Sequence, residues 1–392
     1  MVIVRVHLLA IVLACGFAAL ALAEPPEQIT EQEWAAIQQA EAARVAAIEK
    51  VYGTVVAVYG PDKQGGGSGV LIDPQGYALT NYHVVAAAGS TGTAGLADGK
   101  LYPWELIGVD PGGDLALIQL HRDDPFPWAP LGDSHQVRVG DWAMAMGNPF
   151  LLAEDQKPTV TLGVVSGVHR YQPGVGVNEL VYGDCLQVDS SINPGNSGGP
   201  LFNLHSQIIG VNGRGSFEER GRVNVGLGYA ISSRQMQRFL PDLLAAKTAQ
   251  HGALDAVFGL RNGRVICHTI NLDSPAAAAG LKLGDELIRW NGNAVRTANE
   301  FTNVISTLPA DWPVTFVVRR GDEEQTITLR LLPLPYRGKP STDSPRPADP
   351  NAERTPEELP LAIRKSVEER NRAACRLLDE RWRKLVSLEP DS

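Results

Sequence analysis

Asp189-Ser-Ser-Ile-Asn-Pro-Gly195-Asn196-Ser197-Gly198-Gly199-Pro200 is the stretch from which the fold is read. Glycines crowd a single serine, so the backbone can bend sharply there and enter a new extended run at Pro200–Phe202. In such a bend the N–H groups of Gly195 and Ser197, with Asn196 between them, can converge on one point and stabilise charge developing on an oxygen. A glycine-rich turn carrying a serine is by itself commonly only a turn. A serine hydroxyl becomes a nucleophile when a neighbouring base takes its proton, so the segment acquires chemical meaning only with two further groups.

Both are found upstream. Thr80-Asn-Tyr-His83-Val-Val sets a histidine just after a short apolar strand, at a strand-to-loop edge. Asp110-Pro-Gly-Gly-Asp114-Leu-Ala-Leu-Ile-Gln-Leu120 sets Asp114 at the mouth of a very apolar strand, where an unpaired carboxylate is costly. Asp110 competes for the same role, but its Asp-Pro-Gly setting reads as a turn. The candidate catalytic set is therefore His83, Asp114 and Ser197. The chain order His, Asp, Ser matches the chymotrypsin-type arrangement and differs from the subtilisin and α/β-hydrolase orders.

Working outward, short β-branched runs alternate with Gly, Asp, Pro and Asn from Thr54 to Ile231. They fall at Thr54–Tyr59, Gly69–Ile72, Tyr77–Thr80, Leu115–Leu120, Trp142–Met146, Thr161–Ser166, Leu186–Val188, Ile208–Val211 and Gly228–Ile231. Many short strands at close spacing predict a barrel pair or a sandwich. A helix capped by Ser232 or Ser233 follows, to about Leu244. Residues 253–332 read as a small α+β unit. Its strands are expected near Val265–Thr269, Glu286–Trp290, Val314–Val318 and Gln325–Leu331, with helices near Pro275–Ala279 and Asn299–Leu308. Residues 333–360 hold eight prolines and have linker composition. Residues 361–392 read as a charged amphipathic helical tail.

The chain of 392 residues is long enough for two domains and tails. With 44% hydrophobic and 20% charged residues it can build a packed core, and its 40 glycines and 27 prolines favour turns over a helical bundle. A net charge of −9 argues against nucleic acid as a partner. No metal or cofactor fingerprint is present, so none of either is expected. Arg5 and His7, the apolar run Leu8–Ala23 and the ending Ala21-Leu22-Ala23 read as a signal peptide over residues 1–23. The expected location is periplasmic or extracellular, with retention as a membrane anchor the alternative if the segment is not cleaved. Past it, Cys185, Cys267 and Cys375 are too dispersed for a disulfide framework. Residues 24–50 read as a helical segment with Trp34, Ile37, Ala40, Val45 and Ile48 at helical spacing.

The blocks Gly67-Ser68-Gly69 to Val85, Asp114-Leu-Ala-Leu-Ile118, Val139-Gly to Gly147-Asn-Pro-Phe150 and Ile192-Asn-Pro-Gly-Asn-Ser197-Gly-Gly-Pro-Leu201 together resemble the HtrA (Deg) serine protease family, in its order, over about residues 50–332. The resemblance implies a mainly β fold: a chymotrypsin-like double β-barrel over residues 51–246, then a PDZ domain over 253–332. It also implies cleavage of unfolded polypeptide and a homotrimer or higher homo-oligomer. The chain departs from the family at Leu151–Pro158, which is not glycine-rich, and across His169–Asp184, regions that govern the oxyanion hole in that family. A non-proteolytic chaperone and a PDZ-based adaptor are the alternatives on the same scaffold.

Two recognition sites are expected. In a double-barrel protease the substrate pocket is walled by Ser190, Ser191 and Ile192 and by Val211, Asn212 and Gly213. No acidic residue sits on the first wall, so small aliphatic side chains should be favoured over Arg or Lys. Val257-Phe258-Gly259-Leu260 resembles the carboxylate-binding loop of a PDZ domain and Ser274 to Ile288 matches the domain's next segment, which implies binding of C-terminal peptides. The chemistry is expected to need nothing past about residue 246.

Overall fold

The computed structural model describes residues 29–61, 66–148, 155–172, 182–217, 224–245 and 248–334. The expected signal segment, most of the Pro-rich linker and the C-terminal tail lie outside them. The chain divides into two compact units, residues 1–46 and 47–392. Helix α1 (Glu31–Tyr52) begins on a capping box, in which the Glu33 amide donates to Thr30 Oγ1 at 3.2 Å and the Thr30 amide to Glu33 Oε2 at 2.8 Å. Trp34, Ile37 and Val45 are exposed, whereas Ala47 and Val51 are buried.

Twelve strands then close into two six-stranded antiparallel barrels. The first contains β1 (Val55–Tyr59), β2 (Gly66–Leu71), β3 (Tyr77–Thr80), β4 (Thr91–Gly95), β5 (Leu101–Asp110) and β6 (Leu115–Leu120), ordered β1-β2-β3-β6-β5-β4. Helix α2 (Tyr82–Ala88) follows β3. The second contains β7 (Trp142–Gly147), β8 (Thr159–Gln172), β9 (Tyr182–Val188), β10 (Pro200–Phe202), β11 (Ile208–Phe217) and β12 (Asn224–Ser232), ordered β10-β11-β12-β9-β8-β7. Every residue of β6 is buried, which matches its unbroken apolar run. Of the two architectures open to the strand pattern, the barrel pair is the one adopted.

Strands β4 and β5 are absent from the sequence reading. Thr91-Gly-Thr-Ala-Gly95 has low strand propensity, and Pro103 interrupts β5. Pairing overrides both: Thr91 to Gly95 register against Glu105 to Leu101. The buried indole of Trp104 donates to Tyr59 O at 3.0 Å and covers Gly92, where a Cβ would stand 2.9 Å from the indole nitrogen. The small residues of β4 make room for that ring.

Helix α3 (Ser233–Leu244), capped by Ser232, buries Met236, Phe239, Leu240 and Leu243. Beyond it lies a five-stranded path of β14 (Ala256–Arg261), β15 (Arg264–Ile270), β16 (Glu286–Trp290), β18 (Pro313–Arg320) and β19 (Glu323–Arg330), with the short β17 (Asn293–Ala294) on β16. A two-stranded pair, β13 (Gly252–Ala253) and β20 (Leu332–Pro333), closes its ends. Helix α4 (Pro275–Ala278) and helix α5 (Ala298–Ser306) complete the unit, α5 opening on a Thr297/Glu300 capping box. Its core stacks Trp290 on Phe316 and sets Phe301 edge-on to Trp290 and Phe258.

This unit is bonded to the barrels through specific polar contacts. Asn303 of α5 donates to His169 O at 2.8 Å and accepts from the Asp184 amide at 3.1 Å, while His169 and Asp184 pair at 2.5 Å. Arg238 of α3 donates to Thr307 Oγ1 at 2.6 Å, and burial draws its guanidinium down to about 10. His251 is the most enclosed of these contacts: Nε2 lies 2.8 Å from Asp110 Oδ1, Nδ1 lies 2.6 Å from Ser306 O, and its ring packs at a tilt of 32° against Phe239. Both ring nitrogens face acceptors, which suits the doubly protonated imidazolium.

Burial opposes the charge on His251, but the Asp110 carboxylate and the hydrogen bonds to Asp110 and Ser306 outweigh it and raise its pKa above the ordinary 6.5. A raised folded-state pKa stabilises fully below the unfolded value, and that stabilisation is lost as pH rises through the folded one. Thermal melts should therefore show Tm falling as pH rises above the ordinary histidine value of 6.5, with a flatter profile for His251→Gln. At about pH 6, His251→Ala should cost about 3–5 kcal/mol, because it strands a buried carboxylate.

Candidate functional site

The first barrel contributes the histidine and the carboxylate. Asn81 takes the extended N-cap conformation before α2, which puts His83 in the first turn of that helix. Its backbone N–H, unsatisfied within the helix, donates to Asp114 Oδ1 at 3.0 Å. His83 Nδ1 lies 2.9 Å from Asp114 Oδ2 and 3.0 Å from Oδ1. Asp114 is fully buried at φ +58, a left-handed conformation that aspartate tolerates better than most residues. Its carbonyl receives the Asn81 side-chain amide at 3.0 Å and the Tyr82 N–H at 3.1 Å. The imidazole is thereby oriented on one edge, and its side chain keeps 40% of its surface exposed toward solvent.

The second barrel contributes the serine. The Asn196 amide donates to Asn193 O at 2.9 Å around Pro194 and Gly195, and Gly195 has φ +100. Proline then glycine at positive φ are the central residues of a type II turn. Gly198 (φ +85) lies so close to α2 that a Cβ would stand 3.1 Å from the Asn81 nitrogen. The Gly198 N–H donates to Asn212 O at 2.8 Å, the Asn212 N–H to Gly199 O at 2.8 Å, and Asn212 Nδ2 to Pro200 O at 2.9 Å. The Ser197 carbonyl faces the first barrel, where it accepts the Ser68 N–H at 2.8 Å. Ser197 Oγ donates to Gly213 O at 3.1 Å.

The two aspartates of the Asp110–Asp114 turn are thus separated by geometry. Asp114 faces His83. Asp110, the last residue of β5, is fully buried, bonds the Gly113 N–H at 2.9 Å and faces His251. It opens the turn, as its Asp-Pro-Gly setting suggested, and it does so fully buried. Beyond residue 246, His251 reaches the loop from which Asp114 projects through its contact with Asp110.

The expected pocket residues divide as well. Ser190 and Ile192 are buried and Ser191 is exposed. The Ile192 side chain lies on Gly228, where a Cβ would stand 2.7 Å from its Cδ1. Asp189 accepts the Val164 N–H at 2.6 Å, which commits that carboxylate to β8. Val211 is wholly within the core, and the buried Asn212 side chain holds β10 through Pro200 O. Gly213 contributes its carbonyl. The predicted carboxylate loop, Val257 to Leu260, lies instead inside β14, an end strand of its sheet paired with β15. Phe258 is buried against Phe301, while Val257 and Leu260 are exposed. Cys185 and Cys267 are buried thiols outside any disulfide among the described residues, the latter pushed by burial up to about 11. No cluster of metal-ligating side chains occurs among the described residues.

Residues 67–211 match the trypsin-like peptidase domain family, and residues 244–331 match the PDZ domain family. The chain belongs to the HtrA-type serine proteases. It is 37% identical over 274 residues to a probable periplasmic serine endoprotease DegP-like of Chlamydia pneumoniae, covering 65% of this chain and 52% of that one. It is 33% identical over 279 residues to the periplasmic serine endoprotease DegP of Salmonella typhimurium, covering 68% and 56%. The HtrA-type chain thus spans about half the length of the curated relatives it matches. Among solved structures it is similar to the HtrA-type protease AlgW with tripeptide, at TM-score 0.61 and 27% identity, over 74% of this chain and 97% of that one.

The two aspartates make separable predictions. Asp114→Asn should preserve the melting temperature within a few degrees and lower kcat on a short peptide by about 10⁴. Asp110→Asn should lower Tm while leaving kcat within about tenfold at a temperature where the variant is folded. Steady-state kinetics beside thermal melts distinguishes them; a reversed pattern would exchange their roles.

Proposed function

We propose that this chain is an exported serine endopeptidase acting on unfolded polypeptide in the periplasm. Its most direct support is the His83 ring held on both Asp114 oxygens, with the Ser197 turn bonded to the same barrel. Ser197 is the nucleophile, His83 the general base and Asp114 the orienting carboxylate. Ser197 Oγ turns from the Gly213 carbonyl to His83 Nε2, gives up its proton and attacks the scissile carbonyl carbon. The imidazolium is stabilised by Asp114, and the tetrahedral oxyanion is received by the N–H groups of Gly195 and Ser197. His83 then returns the proton to the leaving amine. Water, deprotonated by the same base, releases the acyl group. The periplasmic relatives support the location; no helix of the described residues is long and apolar enough to cross a membrane.

Ile192 over Gly228, with Asp189 engaged by β8, presents an apolar, uncharged wall that suits Val, Ala or Leu before the scissile bond. Digestion of denatured casein tests both parts. The wild-type protein should cleave it mainly after aliphatic residues, and Ser197→Ala should be inert. Wild-type inactivity would leave the chaperone or adaptor reading, and cuts chiefly after Arg or Lys would overturn the pocket assignment.

We further propose that the PDZ domain takes C-terminal peptides by strand addition along β14, whose outer edge adjoins α5. Calorimetry should show a peptide with a free C-terminal carboxylate binding more tightly than its amide; equal binding would remove the carboxylate-reading role. Finally, the chain is proposed to form a homotrimer or higher homo-oligomer, for which exposed Trp34, Ile37 and Val45 of α1 offer apolar surface. Light scattering at micromolar concentration should give a multiple of the monomer mass.

A further inference from the structure

From the same catalytic reading, we infer that Ser68 is a positioning residue of the oxyanion turn, acting from the opposite barrel. Ser68 is fully buried on β2 and every polar group it carries is engaged. Its hydroxyl donates to Gly195 O at 2.6 Å and accepts the Asn148 N–H at 2.9 Å. Its N–H donates to Ser197 O at 2.8 Å, and its carbonyl accepts Thr80 Oγ1 at 2.7 Å. One residue of the first barrel thus holds the carbonyls of both residues whose N–H groups receive the oxyanion.

The direction of the hydroxyl proton follows from its partners. The Asn148 amide can only donate, so the single proton of Ser68 goes to Gly195 O. Asn148 is itself fixed: its Nδ2 donates to Tyr59 OH at 3.2 Å, and Tyr59 OH donates to Gln156 Oε1 at 2.9 Å.

Gly195 O and the Asn196 N–H belong to the same peptide plane. Ser68 holds one end of that plane and Asn193 O holds the other. Glycine has the widest φ/ψ freedom of any residue, so a turn centred on Gly195 keeps its N–H aimed only where neighbours restrain it. Without the Ser68 hydroxyl, the plane after Gly195 is tied at one end alone. The Gly195 N–H, in the adjoining plane across the freely rotating Gly195 Cα, loses that restraint and has to be ordered during the reaction. A group that acts in this way should affect the transition state and leave ground-state binding alone.

The test uses Ser68→Ala and Ser68→Cys in the full chain, each checked for fold by circular dichroism. The thiol is a weaker donor of similar size and carries the comparison if the alanine variant does not fold. For Ser68→Ala, kcat on a short valine-containing peptide ester should fall about 10- to 100-fold, below the 10²–10³ for deleting an oxyanion donor outright. KM should stay within about threefold, and Ser68→Cys should be intermediate. A peptide boronic acid ending in valine, which forms a tetrahedral adduct on Ser197, should lose affinity in proportion to the loss in kcat/KM. The uncleaved peptide, measured in a Ser197→Ala background, should bind within about twofold with or without the Ser68 change. Unchanged kcat in folded Ser68 variants, or equal weakening of boronate and uncleaved peptide, would overturn the inference. Inactivity of the wild-type protein would instead overturn the protease reading itself.

Discussion

Two carboxylates, Asp110 and Asp114, are fully buried within one short turn, and much of the structure around the site follows from pairing them. An ionised carboxylate withdrawn from water is costly unless charge or donors face it. Asp114 meets that requirement with the His83 ring and backbone N–H. Asp110 meets it with the Gly113 N–H and with His251, which arrives from the segment leading into the PDZ domain. Pro111, Gly112 and Gly113 let the chain reverse tightly enough for the two to face different partners. The Asp110–Asp114 loop is therefore held between its own barrel and the following domain.

The second constraint is that the site is divided between barrels. Each barrel closes its own hydrogen bonds, so nothing in barrel closure sets the height of the serine turn relative to His83. That relation depends on bonds across the seam. Ser68 reaches Gly195 and Ser197, and Gly198 is small enough to abut the α2 N-cap. Glycines at the turn serve two ends here. They permit positive φ at positions 195 and 198, and they leave no side chain between the barrels.

The PDZ unit contacts the barrel wall formed by β8 and β9 through Asn303 and approaches the Asp110 turn through His251. Both contacts use buried or half-buried polar groups, which lose more when misaligned than apolar contacts do. The second barrel and the Asp110–Asp114 loop thus each carry a directional bond to the PDZ domain.

Much of this was legible from local chemistry. Ser197 is marked by its glycines, His83 by its place after an apolar strand, and Asp114 by a charge at the mouth of β6, since each signal lies within a few neighbouring residues. Periodicity likewise located most strands and the helices α3 and α5. Other features had no local mark. Strand β4 exists because Trp104 needs Gly92 beneath it, and Val257–Leu260 pair as a strand because β15 lies alongside. Asn212 is buried because its side-chain amide meets the Pro200 carbonyl, twelve positions away on the neighbouring strand. The partner of Asp110 is 141 positions away, and the Ser68 hydroxyl meets a carbonyl 127 positions away. The sequence by itself determined which residue types could do the chemistry and that they sit on short strands and glycine turns. Only the tertiary structure decided which aspartate faces the histidine and which serine supports the turn, because directional hydrogen bonds between distant segments exist only once the barrels have closed and docked.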